Sequence, residues 1–213
     1  MMITIKDLAR EVNVSVTTIS RVLNNKPDVS EETKKKVKKA IEKMGYNPNT
    51  VARGLVLKKT NSIGLIIPDI NNPFFPEIIK GVERTAKKLG YSLILCNTDN
   101  DKTEEKESIK LLRSKQVDGI ILSLSRKNKE VLKELEKEKF PIVQIDRQIK
   151  DSIYPAIIID NKKSAYIATE YLIKHGHRKI GHITGDLSTE TALDRLNGFK
   201  LALQNYNIPC REE

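Results

Sequence analysis

The chain has 213 residues, 38% hydrophobic and 31% charged, with a net charge of +10 and a pI of about 9.5. This is a soluble globular composition, long enough for one sizeable core plus a small module. Two cysteines, Cys96 and Cys210, make no metal or disulfide spacing, and no apolar run approaches membrane-spanning length, so a secreted disulfide scaffold and a membrane protein are excluded. Met1 leads straight into a helix with no signal peptide, and the expected location is a reducing cytoplasm. The charge is uneven. Residues 1–59 carry 13 Lys and Arg against 6 Asp and Glu, and the remainder carries 25 against 22. The basic character therefore sits at the N-terminal end, as expected for phosphate contacts.

That end, from residue 4 to residue 23, reads TIKDLAREVNVSVTTISRVL. Thr4 and Asp7 have the spacing of a capping box. Ile5, Leu8, Ala9 and Val12 recur at helical spacing. Asn13 breaks the pattern and tolerates the left-handed backbone that a tight turn needs. Ser15 is placed to cap a second helix, and Ile19, Val22 and Leu23 turn its apolar side onto the first. Val16, Thr17, Ser20 and Arg21 are left facing outward, where a helix-turn-helix meets base edges in the major groove. After the Asn-Asn-Lys-Pro-Asp loop, Ser30 caps a third helix. Val37, Ala40, Ile41 and Met44 close a small three-helix core, and Gly45 stops the helix. Lys34, Lys35, Lys36, Lys38 and Lys39 read equally as phosphate contacts or as a solvated face.

Residues 1–59 resemble the head of the lactose and galactose repressor family (LacI/GalR). The resemblance is carried by IKDLA, V-x-V-S, TTISRVLN, V-S-E-E-T, V-x-x-A-I, G-Y-x-P-N and A-R-G-L. It implies a helix-turn-helix DNA-binding domain over residues 1–46 and a hinge over 47–59. Val16, Thr17 and Arg21 would contact bases. Thr4, Ser15, Ser20, Asn24, Tyr46 and Asn49 would contact the DNA backbone. In the family the hinge folds in the minor groove when two copies meet, so Ala52 and Leu55 are the minor-groove candidates, with Leu55 as the wedge. Taken alone, the hinge is a marginal helix. It is short, and Gly54 weakens it by roughly 1 kcal/mol relative to Ala.

From Asn61 the pattern alternates between strand and helix. SIGLIIP, YSLILCN, GIILSL, FPIVQID, YPAIIID and KIGHITG read as strands. Helices are expected over 74–89, 102–115, 127–139, 161–175 and 192–206. Near-continuous Ile, Val and Leu runs between helices predict a doubly wound parallel sheet, covered on both faces, with ligands at the carboxyl ends of its strands. At those ends stand Asn72, Phe74 and Phe75, then Asp146 and Arg147, and, near the start of the last helix, Arg195. Flat rings beside amide, carboxylate and guanidinium groups suit a sugar.

This half resembles the periplasmic sugar-binding fold that the same family carries as its sensor, through NNPFF, V-x-I-D-R-Q and D-R-L-N-G-F. The resemblance implies a first lobe over 60–160 and a second over 161–213. It names Asn72, Phe74, Phe75, Asp146, Arg147 and Arg195 as effector-binding residues, with ribose or another pentose favoured. Only two strand–helix units follow Asp160, so the second lobe reads as incomplete. His175, His177 and His182 span a loop and a strand with no carboxylate or Cys cluster, so no metal is expected. No phosphate-cradling loop or nucleophile order suggests a cofactor or an enzyme. The expected function is a sequence-specific transcription regulator, most simply a repressor. It would act as a homodimer on palindromic double-stranded operator DNA, controlled by a small sugar. The alternatives are control by a phosphocarrier protein, as for some catabolite regulators of the family, and a sugar-binding protein with an incidental basic head.

Overall fold

The computed structural model of the chain describes residues 3–24, 26–46, 59–124, 129–149 and 152–210. The chain divides into two compact units, residues 1–60 and 61–213. The first contains α1 (Ile5–Val12), α2 (Val16–Leu23) and α3 (Glu31–Met44). Thr4 and Asp7 form the reciprocal capping box, with the Thr4 amide donating to the Asp7 carboxylate at 3.0 Å and the Asp7 amide to the Thr4 hydroxyl at 3.3 Å. The Thr4 hydroxyl also donates to the Asp7 carboxylate at 2.6 Å, and this bond, then the Thr4 amide, with Arg10 nearby, holds the Asp7 carboxyl below its ordinary pKa. Asn13 adopts the left-handed conformation at φ 54°, and the Ser15 hydroxyl accepts the Thr18 amide at 3.0 Å to open α2. Gly45, at φ 63°, ends α3 where a side chain would be strained. Leu8, Ala9, Ile19, Val22, Val37 and Ala40 form the buried core, flanked by Ile41, Met44 and Tyr46.

The second unit holds a five-stranded parallel sheet in the order β2-β1-β3-β4-β5, from β1 (Ser62–Ile67), β2 (Ser92–Asn97), β3 (Gly119–Leu122), β4 (Ile142–Ile145) and β5 (Ala156–Ile157). Its helices are α4 (Phe74–Lys88), α5 (Lys102–Ser114), α6 (Lys129–Lys137), α7 (Asn161–Lys174) and α8 (Glu190–Asn205). One sheet face sends Ile66, Ile120, Leu122 and Ile142 into a core with Ile109 and Leu112 of α5 and Leu132 and Leu135 of α6. On the other face Leu65, Ile67 and Ile145 meet Phe75, Ile78, Ile79 and Val82 of α4. Adjacent residues of β1 thus feed opposite cores, which is why Leu65, Ile66 and Ile67 are apolar in succession.

α7 and α8 pack on each other through Ile173, Phe199, Ala202 and Leu203. Their backbones approach so closely at Gly198 that a Cβ there would run into the Lys162 carbonyl. Two expected strands are corrected in this region. YPAIIID contributes only Ala156–Ile157 to the sheet, and KIGHITG forms no strand, with Ile183 fully exposed. A strand exists by pairing, and among the described residues no strand runs beside 179–185 to accept its backbone groups.

Candidate nucleic-acid interface and effector site

In the head, Ile19 and Val22 point α2 into the core, and the helical period turns Val16, Thr17 and Arg21 to solvent. The exposed front presents a branched apolar group, a hydroxyl and a guanidinium. That set can meet a thymine methyl, a base-edge acceptor and a guanine edge. Arg21 is paired with Asp28 at 3.0 Å. Several backbone-contact candidates have local roles. Thr4 and Ser15 cap helices. Asn24 donates its amide to the Ser20 carbonyl at 2.8 Å and closes α2. Tyr46 lies half-buried against the head core, with its amide on the Ile41 carbonyl. Of the α3 lysines, Lys34 and Lys36 pair with Glu31 and Glu32. Asn49, Ala52 and Leu55 lie outside the described residues.

In the sheet unit the segments after β1 and β4 hold most of the remaining candidates. The Asn72 side-chain oxygen accepts the Phe74 amide at 3.1 Å, starting α4. The Ile70 amide donates to the Asn97 side chain at 2.8 Å, tying the β1 loop to the end of β2. The two phenylalanines part company here. Their rings meet edge-on at 5.2 Å, but Phe74 is 38% exposed and Phe75 only 2%. The expectation of two rings open to a ligand is corrected to one, because Phe75 begins the apolar stripe Phe75, Ile78, Ile79, Val82 that seats α4 on the sheet.

Asp146 follows β4 at φ 61°. The Arg147 amide donates to the Ile145 carbonyl at 2.6 Å across it, giving a tight three-residue turn in a region that side chains rarely adopt. Its carboxylate lies 3.6 Å from Arg147 Nε, and both side chains are largely buried. Burial pushes the Asp146 carboxyl above its ordinary pKa, against the opposing pull of Arg147 and Arg195. Ser123 lies near enough to lower it slightly, although its hydroxyl falls short of hydrogen-bond geometry. The Arg147 guanidinium reaches the Asn100 side chain at 3.1 Å, while its buried Nε has the ion pair with Asp146 but no hydrogen bond among the described residues. Arg195 of α8 donates from Nε to the Asn161 side-chain oxygen at 2.8 Å. Asp146, Arg147 and Arg195 thus share one electrostatic neighbourhood, a carboxylate acceptor beside two donor forks. That arrangement can fix polyhydroxyl groups in orientation.

Two family models match. One, described as "Bacterial regulatory proteins, lacI family", covers residues 4–49. The other, "Periplasmic binding proteins and sugar binding domain of LacI family", covers residues 60–212. The chain belongs to the LacI family.

Relatives of this LacI-family chain include the ribose operon repressor of Halalkalibacterium halodurans, 42% identical over 97% of the chain and 61% of the relative. The transcriptional regulator RegA of Clostridium acetobutylicum is 44% identical over 100% and 65%. Catabolite control protein A of Priestia megaterium is 39% identical over 100% and 64%. The chain therefore spans under two thirds of the length of each. Among solved structures, the lac repressor dimer bound to operator and an anti-inducer superposes with a TM-score of 0.86 at 25% identity, over 98% of this chain and 64% of that one.

Two residues of the LacI-family sheet unit escaped sequence reasoning. Asn161, 6% exposed, joins the Ile159 carbonyl to Arg195, and Asn100 receives Arg147. Neither stands in a pattern that separates it from an ordinary loop or helix-start asparagine. Two of the histidines have structural roles: His175 meets the Tyr171 carbonyl at 2.8 Å, and His182 stacks on Phe199. Among the described residues no group of three or more His, Cys, Asp or Glu could hold a metal, and no helix is long and apolar enough to cross a membrane.

Proposed function

We propose that the chain reads palindromic double-stranded operator DNA as a homodimer in the cytoplasm, and represses transcription under control of a small sugar such as ribose. The observation that carries the reading is the exposed front of α2, with Val16, Thr17 and Arg21 opposite a sealed core. Ser15, Ser20, Asn24, Tyr46, Asn49 and Thr4 then fix the head on the backbone, and Leu55, with Ala52, wedges the minor groove. Asn72, Phe74, Asp146, Arg147 and Arg195 take the sugar in the second unit. Support for a pentose comes from the similarity to a ribose operon repressor and from the Asp146 carboxylate, which lies beside Arg147 and feels the charge of Arg195. No catalytic step and no cofactor belongs to this reading.

The test is a mobility shift on a palindromic duplex with ribose titrated in. With roughly 6–10 phosphate contacts per dimer, affinity falls about 10³–10⁵-fold between 50 and 200 mM salt. Sugar and operator must change each other's affinity by the same factor. A flat salt response, or ribose binding that never alters operator affinity, overturns the reading. The similarity to a catabolite control protein favours a second reading, in which a phosphocarrier protein replaces the sugar. Calorimetric titration with each separates the two.

A further inference from the structure

Asp28 stands in the loop between α2 and α3, where nothing in the proposed reading uses it. Its carboxylate lies 3.0 Å from Arg21 Nη1, and both side chains are about half exposed, at 51% and 54%. An ion pair so exposed adds little to stability. Yet the loop that carries it is anchored at several points. The Lys26 amide donates to the Arg21 carbonyl at 3.0 Å, and Pro27 has a fixed φ. Val29 packs on the head core, and the Ser30 hydroxyl accepts the Thr33 amide at 3.2 Å. The carboxylate is therefore held at the reading face by backbone and core, while Arg21 is a long side chain with many rotamers to lose.

Resting on the assignment of Arg21 as a base reader, we infer that Asp28 is a positioning residue for sequence reading. A guanidinium has five donors, so a carboxylate on one edge leaves the others free for the two acceptors of guanine. Holding the fork in one orientation lowers the entropy lost when it docks. The same negative charge repels phosphate, and phosphate is the competing partner that carries no sequence information. Asp28 thus turns Arg21 from a general anion binder into a guanine reader.

The experiment selects preferred duplexes from a randomised pool with the 213-residue chain and with Arg21→Ala, Asp28→Asn, Asp28→Glu and the Arg21→Ala/Asp28→Asn double variant. Circular dichroism checks that each is folded. Arg21→Ala identifies the guanine that Arg21 reads, by a loss of about 5- to 150-fold in preference. Asp28→Asn is expected to lose at least about 5-fold of that preference while its affinity for an unrelated duplex holds or rises. Asp28→Glu retains the preference, and the double variant loses no more than Arg21→Ala alone. An unchanged guanine preference in Asp28→Asn, or an equal loss on all sequences, overturns the inference while leaving Arg21 a base reader. If Arg21→Ala changes no position, the base-reading assignment fails first and the inference falls with it.

Discussion

Replacing Ile19 by Ala tests what holds the reading head together. Ile19 is fully buried among Leu8, Ala9, Val22, Val37 and Ala40. Truncating a buried Ile to Ala costs about 2–5 kcal/mol in lost transfer free energy and cavity formation. At about 0.05–0.15 kcal/mol per residue, a head of this length has only about 2–6 kcal/mol of stability in total. The substitution therefore unfolds most of the head population, whereas Ile19→Val, at about 0.5–1.5 kcal/mol, leaves it folded. Because residues 61–213 form a unit with their own cores, the sheet should be spared. Urea unfolding followed by far-ultraviolet circular dichroism should give two steps in the unaltered chain. Ile19→Ala should lack the earlier one, together with DNA binding, and Ile19→Val should keep both. Ile19→Ala with an unshifted first step and unchanged DNA affinity would refute the core assignment. One shared transition, moved equally by both variants, would refute the independence of the units.

Thr4→Ala removes one side of the capping box and should cost the head about 0.5–2 kcal/mol, read as an earlier first step in urea. Because the Asp7 pKa is lowered in the folded head, its contribution is present above the ordinary carboxylate pKa and lost as pH falls through the lowered value; Thr4→Ala should flatten that acid dependence. Gly198→Ala forces α8 off α7, an overpacking of about 1–3 kcal/mol, and should lower the melting temperature of the second unit by roughly 2–4 °C per kcal/mol; an unchanged value would mean that the helices lie farther apart. Asp146→Asn should raise that melting temperature while abolishing sugar binding. The raised Asp146 pKa favours folding only at acid pH, and ionisation opposes folding as pH rises through it. The Asn gain should therefore appear at neutral pH and vanish at low pH, and Asn also tolerates φ 61°.

What the sequence revealed depended on how far apart the deciding atoms lie along the chain. Thr4 with Asp7, Asn13, Ser15 with Thr18, and Gly45 are decided within four residues, and each appears in the structure with its expected cap or turn. Strands β1, β3 and β4 were legible because packing on both sheet faces leaves mostly apolar residues, and the edge strand β2 because of its Leu-Ile-Leu run. KIGHITG carries isoleucines too, yet pairing decides strand formation, and pairing depends on a neighbour that composition does not encode. The Arg195–Asn161 bond spans 34 residues, and the Arg21–Asp28 pair bridges a helix and a loop, so neither leaves a local signature.

Phe75 differs from these cases, because its placement was present in the periodicity. Phe75, Ile78, Ile79, Val82 and Ala86 recur at helical spacing, and the same residues pack beneath α4 or are buried along it. Phe74 lies one step of about 100° away and falls off the stripe. Reading the pair chemically, as two rings suited to a sugar, hid the geometric point that Phe75 lies within that stripe while Phe74 lies at its exposed edge. The same argument applied to α2 separates Val16, Thr17 and Arg21 from Ile19 and Val22. Helical phase therefore decides which side chains are free for recognition in both units, and the chemistry of a side chain bears on recognition only after its phase has turned it outward.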